Sequence, residues 1–96
     1  MSPLEFEWDR QKAVANSRKH GVSFDEASTV FGDPLAAIFD DEAHSEDESR
    51  AIIVGHSDRK RLLLVSFTMR GERIRIISAR RATKQETADH EEKPRK

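Results

Sequence analysis

AIIVGHSDRKRLLLVSFTMRGERIRIISA, residues 51–79, decides the fold. It holds three strand signals: AIIVGHS at 51–57, RLLLVSFTM at 61–69 and RIRIISA at 73–79. Each is rich in Ile, Leu or Val and bounded by turn formers. The first connection, Asp58-Arg59-Lys60, is short. The second is built on Arg70-Gly71-Glu72, where glycine supplies the positive φ of a tight turn. Connections this short require antiparallel neighbours. Leu62, Leu64 and Ser66 alternate with Leu63, Val65 and Phe67. Ile74, Ile76 and Ser78 alternate with Arg73, Arg75 and Ile77. Both faces of the first strand of this hairpin are apolar, which puts the hairpin in the centre of a sheet. Arg73 and Arg75 mark where one face meets solvent or a ligand.

Working outward, LEFEW at 4–8 alternates and reads as a half-buried strand, with Glu5 and Glu7 on its outer side. Asp9 is an N-cap for a helix RQKAVANSRKH, which Gly21 stops. Small residues such as Ala13 and Ser17 let that weakly amphipathic helix lie close to a sheet. Ser23 and Glu26 have capping-box spacing and open a second helix, with Phe24, Ala27 and Phe31 on one face and Gly32-Asp33-Pro34 as its end. LAAIF at 35–39 is a further strand. DDEAHSEDES at 40–49 carries six acids and reads as a mobile loop. Thr83 and Glu86 form another capping box, opening a helix to about Glu92; the tail at 93–96 is expected to fray. The order β-α-α-β-β-β-β-α predicts an α+β fold, a small antiparallel sheet with helices on one face. No linker divides residues 1–96, so one domain is expected.

Composition narrows the classes. The chain has 96 residues, no cysteine and a formal charge of −1. Leu, Ile, Val and Phe together number 21, little above the level typical of disorder, but their clustering in short runs favours a folded core. No apolar run reaches the ~18 residues of a membrane span. MSPLEFEWDR lacks the pattern of a secretory leader, and cysteine is absent, so a cytoplasmic setting without disulfides is expected. The charge is unevenly spread. Residues 1–49 carry 4 basic and 12 acidic side chains; residues 50–96 carry 13 and 6. This allows a cationic face that attracts phosphates, or solvated arginines paired with the acidic half.

No Gly-rich nucleotide loop and no HExxH or Cys/His cluster is present. His44 lies among Asp40, Asp41, Asp47 and Glu48, but a flexible acidic loop describes that segment better than a cation site. No metal and no cofactor are expected. His20 closes the first helix, where a cap on the helix dipole competes with a catalytic role. Arg50 begins a strand, and His56 sits near a strand end. Arg80 and Arg81 lie just before the helix cap Thr83, and guanidinium groups beside a helix N-terminus suit a phosphate.

Taken together, FEWD (6–9), KHGVSFDEA (19–27), VFGDP (30–34), HSEDESR (44–50) and RIRIISARRAT (73–83) with Glu86 resemble the BrnT family of bacterial type II toxins. The resemblance spans roughly residues 4–92. It implies a RelE-like fold and ribonuclease activity that halts translation. It implies a cognate antitoxin, BrnA, of ribbon-helix-helix type, through which the complex reaches DNA. It also implies metal-free chemistry, in which the RNA 2′-hydroxyl attacks the neighbouring phosphate and the 5′-oxygen leaves. His20 and His44 are then the acid/base candidates, and Arg50, Arg80 and Arg81 supply charge. Arg61, Arg70, Arg73, Arg75 and Lys84 would hold the RNA backbone. Two positions depart from the family pattern: His90 stands near a common tyrosine, and Lys60 stands where a glycine commonly precedes the arginine. A catalytically weak module that binds RNA or only its antitoxin is the alternative. The nuclease reading needs guanidinium groups that converge on an oligonucleotide, not ones each neutralised by a neighbouring carboxylate.

Overall fold

The computed structural model describes residues 4–41 and 49–92. The elements are β1 (Glu5–Glu7), α1 (Arg10–His20), α2 (Phe24–Thr29) with a 3₁₀ turn at Val30–Gly32, β2 (Ala37–Asp40), β3 (Arg50–His56), β4 (Leu62–Arg70), β5 (Arg73–Arg81) and α3 (Lys84–Glu92). The order and the α+β class match the expectation. Most of the acidic loop, including His44, and the tail at 93–96 lie outside the described residues.

The sheet runs β1-β5-β4-β3-β2. Three of its four pairings are antiparallel, as the short turns require. The fourth differs: β1 lies parallel to β5, with Phe6 opposite Ile74. A parallel pair needs a long crossover, and the two helices plus three strands between β1 and β5 provide it.

The helix ends follow local chemistry. The Lys12 N–H donates to Asp9 Oδ2 at 3.0 Å, and Gly21 closes α1 at φ 68° with its N–H on the Ser17 carbonyl at 2.9 Å. The Glu26 N–H donates to Ser23 Oγ at 3.0 Å. At the other end of the chain, the Thr83 N–H donates to Glu86 Oε1 at 2.9 Å while the Glu86 N–H donates to Thr83 Oγ1 at 3.1 Å, a reciprocal capping box.

The core lies on one face of the sheet. Val22, Phe24, Ala27 and Val30 pack on Ile53, Leu63, Val65, Phe67, Ile74, Ile76 and Ala79. Phe31 stands edge-on to both Phe6 and Phe67, at centroid distances of 5.3 and 5.0 Å. Ala79, not Ser78, follows Ile76 into this core. The register shifts between Ser66 and Phe67, so that Ser66 faces Ser78 while Phe67 faces Ile76. The extra residue in β5 breaks the simple alternation, and it turns Arg80 to the side away from the core. That second face is not left bare. α3 reaches it through Arg80, His56 and Phe39, so the helices are divided between the two faces.

Gly55 marks the closest approach. A Cβ there would stand 2.8 Å from Ala36 Cβ and 3.1 Å from Val30 Cγ1, so the segment after α2 lies directly on β3. Asp33 fastens it, accepting the His56 N–H at 2.8 Å and the Leu35 N–H at 3.0 Å.

Candidate functional site

β5 is the spine of the basic half, and most of its arginines are paired. Glu5 and Glu7 of β1 meet Arg73 and Arg75: Arg73 Nε lies 3.3 Å from Glu5 Oε1, and Arg75 Nη1 donates to Glu7 Oε2 at 2.9 Å. Arg80 grips Glu86 with both nitrogens, at 2.9 and 2.8 Å. The fork-to-carboxylate geometry and the Thr83 N–H hold the Glu86 carboxyl at about 2, below its ordinary 4.5. Of the two guanidinium groups anticipated to hold a phosphate beside this helix N-terminus, Arg80 is therefore engaged by the helix's own carboxylate, and Arg81 is not.

Arg61 is more deeply engaged. Its Nε donates to Glu26 Oε2 at 2.9 Å, its Nη2 reaches Glu26 Oε1, and the same nitrogen donates to the Gly21 carbonyl at 3.0 Å. Ser57 Oγ donates to Glu26 Oε2 at 2.7 Å. The Glu26 side chain is 5% exposed. The Arg61 hydrogen bonds lower its carboxyl pKa against the opposing effect of burial. This network joins α2, the end of α1 and the β3–β4 turn, which is a structural role.

Among the described residues, Lys12, Lys19, His20 and Arg81 have no carboxylate within ion-pair distance. Three of them share one place. β1 flanks β5 only at Arg73–Arg75; beyond it the chain turns into α1, which runs along the same strand edge. Asn16 makes the join. Its Oδ1 accepts the Ala79 N–H at 3.0 Å, and its Nδ2 donates to the Ala79 carbonyl at 2.8 Å, so one amide does what a neighbouring strand's backbone would. This sets Lys12, Lys19 and His20 around a cleft floored by Ile77 and Ser78. His20 is one helical turn beyond Asn16, and Arg81 is two residues beyond Ala79 in the same direction. Two of the separately expected candidates, His20 and Arg81, therefore lie towards the same end of β5.

The guanidinium groups do not converge as the nuclease reading expected: Arg61, Arg73, Arg75 and Arg80 each face a carboxylate, and the other candidates are dispersed, so a nuclease site on this chain would rest on the cations of α1 with Arg81. Arg50 begins β3 and shares a cross-sheet row with Thr68 and Arg75. Arg70 ends β4 opposite Arg73, and Lys84 is exposed at the start of α3. No position can be given for His44.

A further group escaped the sequence. His56 and His90 meet edge to face with centroids 6.0 Å apart, and His56 Nδ1 lies 3.7 Å from Asp33 Oδ2. The His56 backbone N–H, more than any charge, draws the Asp33 carboxyl below its usual range. Nothing in their spacing of thirty-four residues links these histidines; only the tyrosine expected near position 90 singled out one of them. Among the described residues, no group of three His, Cys, Asp or Glu side chains is arranged to hold a metal ion, and no helix is long and apolar enough to cross a membrane.

Fold and cleft define a class: a small α+β domain with a cationic groove along the edge of its sheet. The family model of BrnT, the ribonuclease toxin of type II toxin–antitoxin systems, matches residues 8–86, and the chain belongs to that family. The matched segment contains α1, the cleft and the Arg80–Glu86 pair. Membership in a toxin–antitoxin family implies an antitoxin partner. The chain is also similar to the crystal structure of the Brucella abortus ribonuclease toxin BrnT, with a TM-score of 0.66 and 24% identity over 85% of this chain and 100% of that one. That likeness bears on the fold. No curated protein matches.

Proposed function

We propose that the chain, as a single cytoplasmic domain, is a metal-independent endoribonuclease that inhibits translation and is neutralised by a BrnA-type, ribbon-helix-helix antitoxin, reaching DNA only through that complex. Family membership supports ribonuclease chemistry. The observation that carries the reading to a site is the cleft beside β5 lined by Lys12, Lys19 and His20, with Arg81 at the end of that strand.

The reaction needs a base, an acid and cations. The base takes the proton of the RNA 2′-hydroxyl, and that oxygen bonds to the adjacent phosphorus. The bond from phosphorus to the 5′-oxygen breaks, and the acid protonates the leaving oxygen. A 2′,3′-cyclic phosphate and a free 5′-hydroxyl result. Histidine titrates near neutrality and can serve either step. His20 takes one of them in this proposal, and His44 remains the candidate for the other. Arg81 and the lysines stabilise the charge that gathers on the phosphoryl oxygens, with Arg50 as the other candidate cation. Arg61, Arg73, Arg75 and Arg80 are held by carboxylates, so they shape the surface rather than contribute free charge.

Those same carboxylate pairs favour a second reading, a module that binds RNA or its antitoxin without cleaving. Labelled RNA incubated with the chain in excess EDTA separates the two. Cleavage that Arg81→Ala or His20→Ala abolishes, with folding intact, supports the enzyme; retention of intact RNA supports the module. Growth arrest on induced expression, relieved by a neighbouring ribbon-helix-helix gene, tests the toxin–antitoxin assignment.

A further inference from the structure

α1 is the most one-sided element of the chain. It holds Arg10, Lys12, Arg18 and Lys19, all four basic residues of positions 1–49, and no acid. Its cations point two ways. Lys12, Asn16, Lys19 and His20 follow i, i+4, i+7, i+8 spacing, a single helical stripe, and that stripe faces the cleft floored by Ile77 and Ser78. Arg10 and Arg18 lie off it, on the outer side of the helix. Lys12 and Lys19 are seven residues apart, about 10 Å along the helix axis at ~1.5 Å per residue, and so could engage more than one backbone phosphate. The Asn16–Ala79 clamp keeps the stripe in fixed register with β5, so the two ammonium groups and the imidazole keep their order along the groove.

We propose that this groove is the track for the RNA backbone: Lys12 and Lys19 each take a phosphate of a single strand and lead it to His20. Ser78 offers a hydroxyl at the floor, and Ala15 between the lysines keeps the groove open to the strand. The strand runs along α1, away from the arginines that carboxylates already hold. The inference rests on the ribonuclease reading above.

The test is a salt titration with a labelled single-stranded RNA carrying 2′-O-methyl sugars, which binds but offers no attacking hydroxyl. Unmodified RNA of the same sequence reports cleavage separately. Lys12→Gln/Lys19→Gln should lower affinity about tenfold near 0.1 M salt and reduce the slope of log K against log salt by ~1.4, or ~0.7 for each lost single-strand phosphate contact. Arg10→Gln/Arg18→Gln removes the same charge from the same helix and should leave slope and cleavage unchanged. Lys12→Arg/Lys19→Arg should restore binding. All four side chains are exposed, and far-UV circular dichroism checks each fold.

Equal losses in the two Gln pairs would reduce the track to general charge and overturn it. Cleavage by the wild type with an unchanged slope in Lys12→Gln/Lys19→Gln would sink the track and spare the ribonuclease. Binding that follows the lysines without any cleavage would uphold the track and sink the enzyme. Loss of antitoxin binding with RNA binding intact would assign the groove to the protein partner instead, against the proposal.

Discussion

Two sets of cations sit on β5 and its neighbours, and their surroundings are opposite. Arg61, Arg73, Arg75 and Arg80 come from the stretch where basic residues are densest, and each faces a carboxylate from another segment. Lys12, Lys19 and His20 come from the acidic half and face open solvent across a groove. Local charge density therefore does not show which cations stand clear of carboxylates. What matters is which acids the fold brings up: it brings Glu5, Glu7, Glu26 and Glu86 to the arginines and, among the described residues, no carboxylate within ion-pair distance of the α1 side chains Lys12, Lys19 and His20.

The largest effect should separate the two sets directly. His20→Ala is expected to slow RNA cleavage by ~10²–10⁴-fold, the range of one general acid or base. Its cost to folding should be small, since His20 is the last residue of α1 and only partly buried. Single-turnover cleavage of labelled RNA, set beside a urea melt, reads both. Full activity in His20→Ala would move the chemistry away from the groove and towards the His56–His90 side.

Glu26→Ala should do the reverse. It leaves the guanidinium of Arg61, itself 22% exposed, without its partner, and breaking such a pair costs ~3–5 kcal/mol. The urea midpoint should fall steeply, while cleavage per folded molecule holds. Were Arg61 a phosphate ligand restrained by Glu26, RNA affinity would rise in this variant, and the contrast between the sets would fail.

Much of the fold was legible because its signals are local. The three strands at 51–79, both capping boxes and the Gly21 stop depend on residues within a few positions of each other. What escaped was non-local. The parallel placement of β1 goes with Phe6 packing on Phe31, which in turn packs on Phe67, a contact that adjacent residues cannot show. The bulge at Ile77 is set by the register against β4, so Ser78 and Ala79 exchange the faces that alternation predicts. The site was legible only in part for the same reason. His20 and Arg81 were singled out as candidates, but how α1 lies against β5 depends on Asn16, whose bonds to Ala79 span 63 positions. The basic character of α1 was visible throughout, yet averaging it with the acids of residues 1–49 concealed it.

Acid should sharpen the contrast from the paired side. The Glu86 carboxyl is held at about 2 against an ordinary 4.5, chiefly by Arg80. A lowered carboxyl contributes its stability in full above pH 4.5 and loses it as pH falls through about 2. Glu86 and Arg80 are part-exposed, so after solvent screening the pair is worth about 1 kcal/mol. Protection factors in α3, which remove the intrinsic pH dependence of exchange, should fall by about fivefold over that window. In Glu86→Gln they should be low by about the same factor already at neutral pH, and α1 should not respond.

Lys60→Gly gives the smallest effect and the cleanest control. Lys60 closes the β3–β4 turn at φ 64°, a left-handed conformation that a side chain disfavours and glycine takes freely. The exchange should raise stability by about 1 kcal/mol, seen as a higher urea midpoint with an unchanged slope. It also removes an exposed cation from the basic half, two residues after Asp58 and next to Arg61. If RNA binding followed the overall count of positive charge, this variant would bind more weakly despite its firmer fold. If binding follows the cations left unpaired along α1, affinity and its salt dependence should match the parent, because the groove between Lys12, Lys19 and Ser78 has lost nothing.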